Sequence, residues 1–363
     1  MTDTRDLGIG VIGCGFMGKT QVETVDKFVK GATMKAVFDA NLEMSKPVAE
    51  KYGITAANPL AELLARDDID AVFIETPHFL HGEQALAAIA AGKHVMIEKP
   101  MAHSVALCDE IIQKGKEKGV LVSITFSQRS RTCNLKAKEL IEQGAIGRVR
   151  QILDFHLLAG GLVKFPKWQS DKENLGILFG HAIHCFDRIR WLTGSDYATI
   201  YGKCMSMDPQ AVVEASSMVL MSMLDGTVVT LWSSGEMPPP SFARREFSAM
   251  IVGDKGLMDL DAYGELLINT SGKWEVAAKQ EPVDWAGKGF LDPVRLQSFT
   301  RHAQGFIDAI RENRQPPVTG WDGRQAVAAA LATYESSRTG KEISSGRMSR
   351  ATGFRIKFVE ETG

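Results

Sequence analysis

The lysine of the tripeptide Glu98-Lys99-Pro100 is a candidate for acid–base chemistry. It follows the apolar run His94–Ile97, so a strand would deliver it to the edge of a sheet. An ammonium placed there can hydrogen-bond a reacting oxygen and stabilise its negative charge, and burial would lower its pKa toward the working pH. The alternative is an ordinary surface lysine after a strand.

A glycine-rich turn predicts where a nucleotide binds. The apolar run Leu7–Ile12 leads into Gly-Cys-Gly-Phe-Met-Gly, a G-x-G-x-x-G pattern that ends a strand and opens a helix. The first glycine makes the turn, the second lets the backbone approach a pyrophosphate, and the third permits close helix–strand packing. A plain strand-to-helix turn is the alternative. We expect five residues of the turn to contact the cofactor: Gly13, Gly15, Phe16, Met17 and Gly18.

Asp39 indicates which dinucleotide is bound. It closes the predicted strand Met34–Phe38, near the position where a carboxylate accepts hydrogen bonds from both adenosine ribose hydroxyls. Such a carboxylate repels a 2′-phosphate, and Lys46 is the only cation between Asp39 and Pro47. NAD is therefore favoured over NADP, unless Asp39 simply begins the next turn.

Two more strands end in polar segments. Glu75-Thr-Pro-His-Phe-Leu-His follows Ala71–Ile74, and Glu98-Lys99-Pro100 follows the next strand. Because ligands of open α/β sheets lie beyond the carboxyl ends of strands, these segments should face the nicotinamide. Together with a residue after the last strand of the sheet, the predicted cofactor contacts here are Thr76, Pro77, His78, His81, Glu98, Lys99 and Arg129. For Arg129 the alternative is an ordinary salt bridge at the domain junction.

These residues require a doubly wound sheet to position them. Strand-like runs alternate with amphipathic helical patterns, which implies parallel pairing through right-handed crossovers. The predicted strands are Leu7–Ile12, Met34–Phe38, Ala71–Ile74, His94–Ile97 and Val120–Phe126, with helices at Leu80–Ala91 and Val105–Lys118. Residues 1–126 are therefore predicted to form an α/β, NAD-binding Rossmann domain.

After a helix at Leu135–Gln143 the pattern changes, because strands follow one another. Asp225-Gly226 between two alternating runs predicts a two-residue hairpin, and Gly253–Gly256 predicts a second tight turn. The predicted strands are Val149–Leu158, Tyr197–Met205, Ser216–Leu224, Thr227–Ser233, Ala249–Val252 and Glu265–Asn269, with helices near Phe179–Leu192, Phe299–Asn313 and Gly323–Arg338. Residues 127–363 are predicted to form an α+β domain with a largely antiparallel open sheet, in which Met218, Met221 and Met223 fill the core.

Composition bounds the function classes. The 363 residues exceed what one core usually serves, and 42 basic against 44 acidic side chains give a net charge of −2. No overall field would draw such a protein to nucleic acid or to an anionic membrane. The five cysteines are scattered and odd in number, which argues against a disulfide framework or a zinc cage and favours the cytoplasm.

These motifs together resemble the Gfo/Idh/MocA family, the relatives of glucose–fructose oxidoreductase and inositol dehydrogenase. The resemblance spans nearly the whole chain. It rests on the glycine turn, Thr76-Pro77 with His81, Glu98-Lys99-Pro100, His184-x-x-Asp187 with Trp191-Leu192, Gly305-Phe-Ile-Asp-Ala-Ile310 and Asp322-Gly323-Arg324. It implies a dehydrogenase in which Lys99 is the central catalytic lysine, and a dimer or tetramer assembled through the exposed face of the C-terminal sheet.

The resemblance also makes His184 a catalytic candidate. Similar proteins often carry Asp, or sometimes Asn, four residues earlier on the same helical face, and the Asp–His pair takes the hydroxyl proton as hydride leaves. This sequence has Gly180 at that position, which cannot orient or charge-stabilise an imidazole. Neighbouring His181 could enter the site instead. The proton acceptor is thus Lys99 alone, His184 alone, or a two-histidine arrangement.

Other residues of the second domain are weaker candidates for substrate contacts, beside Lys99, His181 and His184 themselves. His156 could line the substrate pocket or alternate outward, and Trp168-Gln169 matches a place where similar proteins have Trp-Arg near the nicotinamide. The spacing His181-x-x-His184-x-x-Asp187 could also bind a metal, but no third ligand is evident and we predict none.

The leading functional hypothesis is NAD(H)-dependent oxidation or reduction at a secondary alcohol or ketone of a sugar, cyclitol or related polyhydroxylated or carboxylated ring. A second is redox-neutral glycoside cleavage, in which the substrate is transiently oxidised, eliminates and is re-reduced. A third is a catalytically silent, nucleotide-sensing regulator. Intact Lys99 and His184 count against the third, while Gly180 keeps it open.

Overall fold

A computed structural model describes residues 5–160 and 176–348 in two compact units. Of the described residues, the first unit contains 5–103, 107–130 and 283–324. The second contains 104–106, 131–160, 176–282 and 325–348. Residues 283–324, which the sequence reading placed in the second domain, are grouped with the first unit. Local sequence patterns carry no signal for such a grouping.

The first unit is built on a six-stranded parallel sheet, as predicted. Its strand order is β3-β2-β1-β4-β5-β6, so the order reverses between β1 and β4, which is where such sheets bind ligands. The strands are β1 (Leu7–Ile12), β2 (Ala32–Phe38), β3 (Thr55–Ala57), β4 (Ala71–Ile74), β5 (His94–Ile97) and β6 (Val122–Ile124). Strand β3 was not predicted, since three residues give too short a pattern.

Eleven α-helices accompany the sheets in the described residues. They are α1 (Phe16–Phe28), α2 (Leu42–Tyr52), α3 (Leu60–Leu64), α4 (His81–Ala90), α5 (Val105–Lys118), α6 (Thr132–Glu142), α7 (Ile177–Gly180), α8 (Ile183–Thr193), α9 (Pro293–Arg311), α10 (Gly320–Thr339) and α11 (Ser345–Met348). Helix α9 brings Ala303, Phe306 and Ile307 into the core formed by β1, β4 and α1, which explains its place in the first unit. None of the described helices is long and apolar enough to cross a membrane.

The second unit holds a nine-stranded sheet in the order β14-β13-β12-β11-β7-β10-β9-β8-β15. All neighbours are antiparallel except β7 and β10, which confirms the largely antiparallel prediction. The strands are β7 (Val149–Ala159), β8 (Tyr197–Met205), β9 (Ser216–Met223), β10 (Val228–Met237), β11 (Ser248–Gly253), β12 (Leu257–Asp261), β13 (Glu265–Asn269), β14 (Glu275–Lys279) and β15 (Ile343–Ser344). Strands β12, β14 and β15 were not predicted.

One face of this sheet is exposed and partly apolar. Tyr201, Leu220, Thr230, Leu153 and Met250 are successive register partners across five neighbouring strands. The four apolar or aromatic members of this row are each at least 38% exposed. On β9 the alternation buries Met221 and Met223 but turns Met218 outward, with 58% of its surface exposed. The prediction that all three methionines fill the core was therefore wrong for Met218, because side chains alternate across a strand.

Candidate active site

The glycine turn has the geometry that its sequence predicts. Gly13 has φ +98°, and a Cβ there would lie 2.7 Å from the carbonyl oxygen of Glu75. A Cβ on Gly18 would lie 1.8 Å from the carbonyl oxygen of Gly13, so only glycine allows α1 to pack this closely. Gly15 faces open space and precedes α1, whose first turn carries no acidic side chain. Backbone amides that are open to an anion at a helix start fit a dinucleotide pyrophosphate.

The carboxylate of Asp39 lies beside this turn. Its Oδ2 accepts a hydrogen bond from the backbone N–H of Cys14 at 2.8 Å, and its Oδ1 accepts one from Asn41 at 2.9 Å. Each oxygen retains a second lone pair that can accept from a ribose hydroxyl. Asp39 thus both shapes the turn and offers acceptors at the end of β2.

Phe16 and Met17 are packed by a residue that sequence reasoning missed. The guanidinium of Arg295, on α9, stacks 5.5 Å from the Phe16 ring centroid and 3.8 Å from the Met17 sulfur. It also donates to the Phe290 carbonyl at 2.6 Å. A cation is therefore buried next to the turn. Arg295 is separated from the turn by more than 270 residues, so no local signal could have identified it.

Lys99 is largely buried at the end of β5. Its side chain is 15% exposed, and its Nζ lies 3.8 Å from Oε1 of Glu98. Burial lowers the pKa of Lys99, although the carboxylates of Glu98 and Glu75 oppose the effect. The same burial raises the pKa of Glu98 to about 7, against the attraction of Lys99. The burial of Lys99 excludes the alternative of an ordinary surface lysine, and the neighbouring carboxyl group of Glu98 is suited to proton exchange near neutral pH.

Glu75 is the second residue that sequence reasoning missed. It is 6% exposed, and burial followed by the charge of Glu98 raises its pKa well above the ordinary value. A signal was present in the sequence, because Glu75 and Glu98 each directly follow a buried strand. Read together, these positions predict that two carboxyl groups meet at one edge of the sheet.

His81 holds together the segments that follow β4 and β5. Its Nδ1 lies 2.8 Å from the carbonyl oxygen of Pro100, and its Nε2 lies 2.8 Å from that of Thr76. Burial lowers the pKa of His81 to about 4, although the carbonyl oxygens of Pro100 and Thr76 oppose the effect. The hydroxyl of Thr76 donates to Gln84 at 2.6 Å. These contacts place Thr76 and His81 around the site, while their cofactor contacts stay predictions.

His78 and Arg129 complete the predicted set in the first unit. Buried His78 meets the ring of His103 edge to face, with centroids 5.0 Å apart. Arg129 pairs with Asp322, with Nη2 3.0 Å from Oδ1, and donates to the carbonyl of Pro317. Arg129 thus forms a salt bridge, as its alternative reading expected, while its cofactor contact stays a prediction, and Asp322 belongs to the late motif that the resemblance includes.

In the second unit three histidines gather around one aromatic ring. His156 lies 4.5 Å and His184 lies 6.0 Å from the ring centroid of Phe247. His181 stacks on His156 with centroids 6.2 Å apart and an interplanar angle of 20°. His156 is fully buried with Nδ1 3.1 Å from the hydroxyl of Ser233, so it faces inward. The structure thus brings together the three predicted histidines.

The helix that carries two of these histidines is interrupted, which corrects the prediction of one helix over Phe179–Leu192. α7 ends at Gly180, His181 leaves the helical region with φ −126°, and α8 begins at Ile183. Gly180 and His184 are therefore not on one continuous helical face. A Cβ on Gly180 would meet no atom within 4 Å, so a larger side chain has room there.

A buried carboxyl group anchors the start of α7. Oε1 of Glu214 accepts from the backbone N–H of Leu178 at 2.6 Å, and its backbone carbonyl accepts from Ile177 at 3.2 Å. Burial raises the pKa of Glu214 to about 8, and the Tyr334 hydroxyl and the Leu178 amide oppose the rise. The segment that carries His181 is therefore fixed from one end.

Trp168 and Gln169 lie outside the described residues, so their predicted contacts are untested. Within the described residues, no group of three or more His, Cys, Asp or Glu side chains is arranged to hold a metal ion. All five cysteines are free thiols.

Comparison with known proteins identifies both halves of the chain. A family model described as an oxidoreductase family with an NAD-binding Rossmann fold matches residues 7–126, and a GFO/IDH/MocA C-terminal domain model matches residues 134–259. Inositol 2-dehydrogenase of Salmonella typhimurium is 25% identical over 346 residues, which cover 92% of this chain and 95% of that protein. The 2,7-anhydro-N-acetylneuraminate hydratase of Mediterraneibacter gnavus is 26% identical over 368 residues, with 92% and 95% covered.

A solved structure shares the whole architecture. The oxidoreductase from Agrobacterium radiobacter, in complex with NAD+, L-tartaric acid and magnesium, aligns with a TM-score of 0.85 over 94% of this chain and 99% of that one. At 22% identity this likeness concerns the fold alone.

Proposed function

This chain belongs to the Gfo/Idh/MocA family of oxidoreductases, and we propose that it transfers hydride between NAD and a secondary alcohol or ketone of a sugar, cyclitol or related ring. The observation that carries the proposal is Lys99, which lies largely buried at the carboxyl end of β5. Its neighbour β4 ends against the glycine turn. The relatives named inositol 2-dehydrogenase support a polyhydroxylated ring as substrate.

We assign the roles of the site residues as follows. Bound NAD supplies the hydride acceptor. Lys99 hydrogen-bonds the reacting oxygen and exchanges its proton, because a lysine whose pKa is lowered by burial can do both. His184 binds the substrate hydroxyl, with His181 and His156 beside it. The amides at the start of α1 hold the pyrophosphate, and Asp39 accepts from the ribose hydroxyls.

NAD is proposed over NADP because Asp39 places a carboxylate at the end of β2. In Asp39→Ser, the ratio of the NADP+ dissociation constant to the NAD+ dissociation constant is expected to fall, because the carboxylate that repels the 2′-phosphate is removed. An unchanged ratio would contradict the assignment.

The deciding experiment is NAD+-dependent absorbance at 340 nm against sugars, cyclitols, uronates and cyclic diols. We expect a signal that Lys99→Ala lowers by about 10²–10⁴-fold, the usual range for acid–base groups. The exposed Lys114→Ala serves as the matched control and should leave the signal unchanged. NAD+ binding without NADH formation from any compound would contradict the dehydrogenase proposal.

A second candidate is redox-neutral cleavage or hydration through transient oxidation. It is favoured by the hydratase among the relatives and by Gly180 where an acid is usual. Product formation without net NADH, still abolished in Lys99→Ala, would select it.

We also propose that two copies of the chain pair through the exposed face of the second sheet. Exposed apolar or aromatic side chains lie on four of five neighbouring strands in this row, and a two-fold axis can pair such a row with itself. Light scattering should report a dimer or tetramer, and Leu220→Glu should lower the mass. A monomeric wild-type protein would contradict this proposal.

A further inference from the structure

Two buried carboxyl groups stand side by side at the edge of the first sheet. Glu75 follows β4 and Glu98 follows β5, and the last residues of these strands, Ile74 and Ile97, are register partners. Parallel strands are about 4.8 Å apart and alternate their side chains in step. The two glutamates are therefore neighbours on the same side of the sheet.

The carboxyl groups of this pair lack close hydrogen-bond donors. Lys99 lies 3.8 Å from Glu98, while neither carboxyl oxygen of Glu75, nor Oε2 of Glu98, has a hydrogen-bond partner among the described residues. The amide of Gln21 on α1 and the charge of Arg295 on α9 oppose the rise in pKa of Glu75 and Glu98 respectively, without offsetting burial. Adjacent buried carboxylates cannot both ionise cheaply, so the pair retains a proton at neutral pH.

The pair lies directly behind the nucleotide-binding turn. The backbone N–H of Glu75 donates to the carbonyl of Ile12 at 2.8 Å, and the Glu75 carbonyl is the group nearest the missing Cβ of Gly13. Ligands of such sheets lie at this carboxyl edge. A positive charge bound there favours the ionised form of a nearby acid, whereas a neutral group does not.

We propose that the Glu75–Glu98 pair holds one proton in the free protein, releases it when the positively charged oxidised nicotinamide is bound, and keeps it when the uncharged reduced form is bound. This inference rests on the proposed function, which supplies the cofactor. The pair thereby distinguishes the two redox states of one ligand by protonation.

The same pair supplies the proton acceptor that Gly180 leaves in question. The Lys99 ammonium gives its proton to the ionised Glu98, and the amine so formed takes the proton of the substrate hydroxyl. The hydride that leaves the same carbon cancels the positive charge of the nicotinamide, and the carbon–oxygen bond becomes a carbonyl. Lys99 and the Glu75–Glu98 pair together therefore gain one positive charge, while the nicotinamide loses one.

The test is calorimetric titration of the full-length protein with NAD+ and with NADH at pH 7.5, in phosphate and in Tris. The dependence of the binding enthalpy on the ionisation enthalpy of the buffer gives the number of protons released. We expect about one proton with NAD+ and none with NADH in the wild type. In Glu75→Gln, which keeps the shape and removes the acid, the release with NAD+ should largely vanish. Glu98→Gln is the second variant, and exposed Glu83→Gln is the control.

Each outcome decides the matter. Equal release from wild type and Glu75→Gln, or equal release with NAD+ and NADH, overturns the pair as the source while leaving the oxidoreductase proposal intact. Binding of neither nucleotide overturns the proposed function and this inference together. With a substrate from the panel, an indicator dye should report the proton before NADH forms in the wild type, and should report none before NADH forms in Glu75→Gln.

Discussion

The two units of this protein bury charge in opposite ways. In the second unit the guanidinium of Arg188 meets the carboxylate of Asp154 through two contacts, 3.1 Å from Nε and 2.7 Å from Nη2, and also donates to the carbonyl of Ser248 at 3.1 Å. Both side chains are at most 1% exposed. In the first unit the ion pair of Glu98 is a longer contact, with Nζ of Lys99 3.8 Å from its Oε1, and neither carboxyl oxygen of Glu75 has a hydrogen-bond partner among the described residues.

This difference separates a structural charge pair from a responsive one. A bidentate ion pair with a further carbonyl acceptor has one stable protonation state, so a ligand has little to change. A carboxyl pair with incomplete hydrogen bonding keeps a proton that a ligand's charge can displace. We therefore expect mutations to affect stability in the second unit and protonation in the first.

The largest expected effect is a difference in kcat loss between mutation of Lys99 in the first unit and of His184 in the second. If Lys99 and the carboxyl pair manage the proton, His184→Asn should lower kcat by only about ten-fold, well below the 10²–10⁴-fold loss of Lys99→Ala. His181→Asn should have a still smaller effect. Steady-state kinetics with the first active substrate measures all three. If Lys99→Ala and His184→Asn lowered kcat equally, His184 would be the better candidate for the proton acceptor.

The next largest expected effect is the loss of stability when the Arg188–Asp154 ion pair is broken. Arg188→Met leaves Asp154 buried without its partner, and we expect a loss of about 3–5 kcal/mol in the free energy of unfolding. Urea denaturation measures it, with Asp154→Leu/Arg188→Met as the paired variant that should recover most of the loss. By contrast Glu75→Gln should not destabilise the protein at pH 7.5. A destabilised Glu75→Gln would mean that both clusters are structural.

The Glu75–Glu98 pair also predicts that the stability of the protein depends on pH. The pKa of Glu98 is raised from about 4.5 in the unfolded chain to about 7, so between these values the unfolded chain has released a proton that the folded protein retains. Stability due to this group therefore falls as the pH rises through that window. Relative to wild type, Glu98→Gln should gain about 1–3 kcal/mol between pH 5 and pH 8, because it removes this group. Parallel pH profiles of the two proteins would argue against a shared proton.

The smallest expected effect concerns the missing acid of the second unit. A Cβ at position 180 would meet no atom within 4 Å, and in Gly180→Asp a carboxylate that reaches His184 across the helix break would raise the pKa of the imidazole. We expect less than a ten-fold increase in kcat, together with a shift of its pH profile to higher pH. Gly180→Asn is the uncharged control and should not shift the profile. An identical shift in both variants would assign the effect to shape.

Much of the first unit was predictable because its determinants are local. The glycine turn, Asp39 and the strand ends occupy fixed positions relative to single strands, and sheet rules bring the carboxyl ends together. Strand β3 was missed because it is short, and the break between α7 and α8 was missed because the apolar pattern continues through His181. The exposure of Met218 could have been predicted, because side chains alternate across a strand. The prediction of a methionine-filled core did not take this alternation into account.

The sequence alone determined the fold class and the nucleotide-binding turn, since both depend on residue types at short spacing, and the resemblance to the family made Lys99 the catalytic candidate. Tertiary structure decided what surrounds them. Arg295 reaches the turn from a distant helix, and the proton affinity of Glu75 depends on burial and on a neighbour 23 positions away. Electrostatic interactions depend on distance in space and on solvent access, and neither quantity is written in the order of the residues.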